Sequence, residues 1–141
     1  ENMIRSLERL QGNMTICSPA VSQVAALGAL SATDELEALK AGYRRTRTVL
    51  RDALTAGGIS EVSAPDGAFY LYANVDHLTD DAVELCRRIL DETGIAITPG
   101  ADFDTQRGHH FMRLSYCTDE ASVQTAASVL APWLESQPRI R

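Results

Sequence analysis

At 141 residues, with 45% apolar side chains, the chain is long enough to bury the core of one ordinary domain. Thirteen Lys and Arg stand against nineteen Asp and Glu, giving a net charge of −6, and the arginines are scattered among acids, which disfavours nucleic-acid binding. The sequence starts at Glu1 with no charged-then-apolar leader and no apolar run of bilayer length, so a cytoplasmic protein without membrane association is expected. Cys17, Cys86 and Cys117 are odd in number and lack C-x-x-C spacing, so neither a disulfide framework nor a zinc site is signalled.

In chain order, the first predicted helix opens at Ser18 and Pro19, a cap and first-turn pair, and runs to about Ser31. Asn13 stands in the loop before it. Three later helix starts carry Thr33-Asp34-Glu35, Thr79-Asp80-Asp81 and Thr118-Asp119-Glu120. Each offers a hydroxyl acceptor for free N–H groups, with acids suited to the dipole's positive end. The first continues through Leu36, Leu39, Tyr43, Leu50 and Leu54 and stops at Gly57-Gly58. The second is expected to bury Val83, Cys86, Ile89 and Leu90 and to end at Gly94. The third is expected to bury Val123, Ala127, Leu130 and Leu134, with Pro132 and Pro138 disturbing its end.

Strands are predicted near 61–63, 68–75, 95–98 and 111–116, with Asp66-Gly67 joining the first two as a hairpin. The fold class that follows is α+β, a small, mainly antiparallel sheet with helices packed on one side. No internal repeat or low-complexity tract is present, and Gln137 to Arg141 read as a loose tail.

The last strand separates its side chains by alternation. His110, Met112, Leu114 and Tyr116 form an apolar face suited to a core, and Phe111, Arg113 and Ser115 form the other. Arg113 presents a planar, permanently charged fork that grips a carboxylate with two parallel hydrogen bonds. By pattern alone it is either such a clamp or a solvated arginine on an open sheet face. Phe69 and Tyr70 are either pocket walls or a core and surface pair. Gly100 and Phe103 form either a functional loop or a plain turn that buries Phe103. His109 and His110, read as adjacent strand residues, face opposite ways and do not share an ion, so no metal site is expected.

The segments GIAITPGADF and FMRLSYCTDE resemble the C-terminal part of class I/II aminotransferases, the fold-type I enzymes that use pyridoxal phosphate (PLP). APDGAFYLYANV is similar to that family's strand with a Gly-x-Phe core, and QGNMTICSPAVSQVAALGAL resembles its passage from large to small domain. The three matches stand in order and span nearly the whole chain. The resemblance implies that residues 1–31 lead from a large domain and that 32–141 form the C-terminal small domain. It implies Arg113 as the ligand of the substrate's α-carboxylate, with Phe69 and Tyr70 lining the pocket and Gly100 and Phe103 on a closing loop. Asn13 would approach the partner subunit's site in a homodimer.

The implied reaction moves an amino group from an amino acid to a 2-oxo acid. Its cofactor lysine, pyridine-nitrogen aspartate and phosphate-holding groups would lie upstream. Lys40, the single lysine, reads as a surface residue within reach of Glu37. The resemblance therefore gives this chain no catalytic or cofactor-binding residue and no activity alone. A C–S lyase of the same fold type and an aminotransferase-like ligand-binding module of a transcription regulator share the same pattern.

Overall fold

The computed structural model describes residues 2–140. Its helices are α1 (Asn2–Met14), α2 (Ala20–Ser31), α3 (Thr33–Ala56), α4 (Ala82–Thr93) and α5 (Glu120–Glu135). The strands are β1 (Tyr70–Asn74), β2 (Thr98–Pro99) and β3 (Phe111–Ser115), with 3-10 turns at Gly100–Asp102 and Gly108–His110. The chain divides into two compact units, one running to Ala38 and one from Leu39 onward.

In the first unit, α1 is a helix that the sequence reading did not anticipate. Met3, Leu7, Leu10 and Met14 recur at helical spacing, but the stretch carries no Thr-Asp start like those of the later helices. Asn13 therefore lies in the last turn of a helix and not in a loop, where its side-chain amide donates to the Arg9 carbonyl at 2.6 Å. α2 begins one residue after Pro19 with no side-chain cap, so Ser18 is not the capping group. Its large apolar residues Val21, Val24, Leu27 and Leu30 are all exposed.

The second unit is built on an antiparallel sheet of order β1-β3-β2 with helices on one face. Leu71 and Ala73 of β1 pair with Leu114 and Met112 of β3, and all four are buried. They form one core with Leu50 and Leu54 of α3, Leu85, Cys86 and Ile89 of α4, and Val123, Leu130 and Leu134 of α5. Burying a Leu or Ile side chain contributes about 1.5–3 kcal/mol, so this shared layer fixes the sheet against the helices. The opposite face is left for other work.

Several sequence expectations are corrected here. Residues 61–63 form a single bridge, Val62 to Ala73, and Asp66-Gly67 lie in a longer exposed loop, not in a tight hairpin. β2 is limited to two residues, and Pro99 has no N–H with which to extend the ladder. α4 buries Ala82, Leu85, Cys86 and Ile89, an i, i+3, i+4, i+7 stripe, while Val83 and Leu90 fall on its flanks and are exposed. Leu36 and Leu39 of α3 are likewise exposed.

The helix caps are carboxylates. Asp81 accepts from the Val83 and Glu84 amides at 3.0 and 3.2 Å, and Asp119 accepts from Ser122 at 2.8 Å. The Thr79 hydroxyl instead accepts from the Asp81 amide, supporting the cap from outside the helix. α5 passes through Pro132 and ends at Glu135. A proline one turn from the end removes one ladder bond and leaves too little helix beyond it to disrupt packing. Among the described residues, no helix is long and apolar enough to cross a membrane.

Candidate functional site

Alternation turns Tyr70 and Tyr72 of β1, and Phe111, Arg113 and Ser115 of β3, to the face away from the helices. Arg113 is at its centre, directly across from Tyr72 on one side and Thr98 of β2 on the other. A strand in the middle of a sheet has little freedom to shift, so the guanidinium is rigidly mounted.

Two rings hold that guanidinium. Its carbon lies 4.2 Å from the centroid of Tyr70 and 4.0 Å from that of Phe103. Among the described residues, none forms an ion pair or hydrogen bond with the Arg113 side chain. A cation held by ring faces keeps its N–H edges available, and those edges are what a planar carboxylate engages. The site therefore presents an oriented, unneutralised fork beside aromatic walls. It can bind and align a carboxylate.

Phe103 reaches Arg113 through a tightly folded turn. The Phe103 and Asp104 amides donate to the Gly100 carbonyl at 2.9 and 3.0 Å. Asp104 then accepts from the Gln106 and Arg107 amides, which hold its carboxyl below the usual carboxylate range. Gly100 and Gly108 meet backbone to backbone, and a Cβ on Gly108 would stand 2.3 Å from the Gly100 carbonyl oxygen. The turn does not bury Phe103, which remains 55% exposed. The reading of a plain turn with Phe103 in the core is overturned.

Beside Arg113, Tyr72 stacks on Phe111 with ring centroids 4.8 Å apart and planes 3° from parallel. Its hydroxyl is buried against Gly100 with no partner, and burial, followed by the charge of Asp104, pushes its pKa up. Phe69 is 37% exposed and packs on Tyr70 at 4.4 Å, one step removed from the arginine. His109 and His110 lie in a 3-10 turn and not in the strand, which brings their rings to 3.9 Å between centroids, so the argument from opposite strand faces does not apply.

The structure thus gathers Arg113 and Tyr70, with the Gly100 turn placing Phe103 on top. Asn13 belongs to the other unit. Tyr72 and Thr98 were missed as neighbours of Arg113. The period-2 pattern that sets Tyr72 on the same face as Tyr70 carried the signal for the first, whereas the pairing of Thr98 depends on register.

The sequence matches the family model for aminotransferase class I and II over residues 1–130. The chain belongs to that family. It is 42% identical over 94% of its length to the valine–pyruvate aminotransferase of Mycobacterium tuberculosis, and 33% identical over 89% to the aspartate/prephenate aminotransferase of Thermus thermophilus. A crystal structure of an aminotransferase from Mycobacterium tuberculosis superposes with a TM-score of 0.85 at 41% identity, covering 94% of this chain and 35% of the other. The aspartate aminotransferase of Thermotoga maritima gives 0.75 at 29% identity, covering 94% and 33%. This aminotransferase chain spans about a third of the length of these relatives, 35% and 32% for the first two.

Proposed function

We propose that the chain is the C-terminal small domain of a PLP-dependent aminotransferase, in which Arg113 binds the α-carboxylate of an amino acid or 2-oxo acid. The observation that carries this reading is the Arg113 guanidinium, seated against Tyr70 and Phe103 with no acidic partner among the described residues. Residues 1–31 lead in from the large domain, and 32–141 form the small domain. The exposed apolar residues around α2 support this division, because a helix without a polar face requires cover on every side. The remaining polypeptide of a cytoplasmic homodimer supplies that cover.

The family implies PLP, which when bound serves as an electron sink for the substrate's Cα. The residues of this chain do not fit it. Lys40 is exposed on α3 and borders a cavity with Tyr116, whose side chain belongs to the core face of the sheet, opposite Arg113. It is not placed for an imine beside the substrate arginine. The chain's own contribution is positional. Arg113 takes the carboxylate through its N–H edges, Tyr70 and Phe103 fix the guanidinium, and the sheet prevents retreat. Orientation of this kind is worth several kcal/mol of barrier, up to about 7–11 in the best intramolecular cases.

Phe69 and Gly100 act through these groups, Phe69 by packing on Tyr70 and Gly100 by starting the turn that delivers Phe103. Asn13 serves the partner subunit's site. The first substrates to test are valine and pyruvate, after the name of the 42% identical relative. The intact protein containing this chain is expected to transfer the amino group between them or between close analogues, and the chain alone is expected to be inactive. An intact protein that binds amino acids without turnover, or eliminates instead of transferring, would overturn the assignment.

A further inference from the structure

Tyr70 and Tyr72 hold alternate positions of β1, so both side chains leave the strand on the face of Arg113. Tyr70 reaches the arginine directly, its ring centroid 4.2 Å from the guanidinium carbon. Tyr72 takes another course, although it is the residue paired with Arg113 across the ladder. Its ring lies flat on Phe111, with centroids 4.8 Å apart and planes 3° from parallel, and that stack fixes where its hydroxyl points. The hydroxyl ends beside Gly100: a Cβ on that glycine would stand 2.6 Å from the oxygen.

Gly100 carries what lies above the arginine. Its carbonyl accepts from the Phe103 and Asp104 amides at 2.9 and 3.0 Å, and the Phe103 ring lies 4.0 Å from the guanidinium carbon. The same Cβ position is 2.7 Å from the Gly108 carbonyl oxygen and 2.8 Å from the Phe111 Cβ, so Gly100 sits in a socket made by Tyr72, Gly108 and Phe111. The Tyr72 hydroxyl is buried there with no hydrogen-bond partner among the described residues. Burial, and then the charge of Asp104, raise its pKa against the opposing charge of Arg107, which keeps the group neutral. A buried hydroxyl without a partner destabilises the fold that holds it. Phenylalanine would make the same stack without that cost. What the oxygen contributes is contact with Gly100.

We propose that Tyr72 is a positioning residue of the carboxylate site, its hydroxyl a spacer that sets the seat of Gly100 and, through the 100–103 turn, the place of the Phe103 ring over Arg113. The catalytic consequence rests on the function proposed above; the structural one does not. Tyr72 itself touches no substrate. Without the oxygen the socket is one atom deeper, the turn settles into it, and the ring slips along a guanidinium whose N–H edges the carboxylate must meet. A misplacement of about 1 Å in groups that orient a substrate costs up to about 10²-fold in rate, and a spacer acting through a turn works below that limit.

Tyr72→Phe removes the spacer alone. In the intact protein it is expected to speed hydrogen–deuterium exchange of the Phe103 and Asp104 amides about threefold or more, and to raise KM for an amino-acid substrate about three- to tenfold with kcat held within about twofold. The denaturant midpoint is expected to stay unchanged or rise, because the lost group had no partner. The KM effect disappears in a Phe103→Ala background, where the relay has lost its end. Unaltered exchange would overturn the proposal whatever Arg113 binds. So would a lowered midpoint with KM unchanged, the mark of a purely structural hydroxyl, or a KM effect that survives Phe103→Ala. Faster exchange with an amino-acid KM that neither Tyr72→Phe nor Arg113→Gln moves would uphold the spacer and overturn the carboxylate reading instead.

Discussion

The guanidinium carbon of Arg113 lies 4.0 Å from the centroid of the Phe103 ring, and Phe103 remains 55% exposed. An exposed phenylalanine kept on a cation is a contact and not core filler. A cation–π pair contributes about 0.5–2 kcal/mol according to its exposure. Phe103→Ala is therefore expected to reduce kcat/KM of the intact enzyme by about two- to thirtyfold, mainly through KM, while Phe103→Trp retains most of it. Equal losses in the two variants, measured by steady-state kinetics, would show that the ring's face is not what matters.

The turn that delivers Phe103 depends on two glycines. A Cβ on Gly100 would stand 2.7 Å from the Gly108 carbonyl oxygen and 2.8 Å from the Phe111 Cβ, and one on Gly108 would meet Gly100 backbone at 2.3 Å. Backbone cannot turn aside as a side chain does. Gly100→Ala and Gly108→Ala are each expected to destabilise the turn by about 1–3 kcal/mol and to weaken carboxylate binding. Gly67→Ala, with nothing within 4 Å of the new methyl, serves as the control. Denaturant titration should separate the first two from the third.

The sheet-and-helix layering and the core of α5 were legible because burial repeats with the period of each element, as Val123, Ala127, Leu130 and Leu134 demonstrate. Alternation placed Arg113 on the face opposite Met112 and Leu114, where the structure has it, but left open whether it is a carboxylate clamp or a solvated arginine. α1 was missed although its apolar stripe is present, because the reading relied on Thr-Asp starts and this stretch carries none. Val83 and Leu90 were misplaced because a stripe of four core positions leaves apolar flanks, and the packed side is chosen by neighbours. The contact of Phe103 with Arg113 was illegible in kind: it depends on a folded turn whose closure rests on two glycines meeting in space.

Carboxylate caps predict a specific ranking. Asp119→Ala and Asp81→Ala are each expected to lower stability measurably in denaturant titration, and Thr118→Ala and Thr79→Ala to lower it less. Hydrogen bonds from the Ser122 hydroxyl and amide hold the Asp119 carboxyl below its usual range. A lowered carboxylate pKa stabilises the fold above the unfolded value, and that contribution disappears as pH falls through the folded value. The acid limb of the stability profile should therefore flatten in Asp119→Asn. An unchanged limb would remove Asp119 from the account.

His77 makes the opposite kind of group titrate. Burial, and then the positive charge of Arg139, lower its pKa, with Asp76 opposing, and its Nε2 is buried without a partner. The unfolded chain thus binds this proton more readily. The contribution is intact above the ordinary value of about 6.5 and is lost as pH falls from there to the lowered folded value. Replacing His77 with Gln should flatten stability against pH in that window, as read by denaturant titration at several pH values. A slope identical to wild type would contradict it.

The most direct test of the account is kcat/KM for the intact enzyme carrying Arg113→Gln, measured with an amino-acid substrate and with the corresponding amine that lacks the carboxylate. Removing one partner of a charge-assisted pair costs about 2–5 kcal/mol, so the amino acid is expected to lose about thirtyfold or more while the amine changes little. Equal losses for the two substrates, or an unchanged value for the amino acid, would contradict Arg113 as the carboxylate ligand.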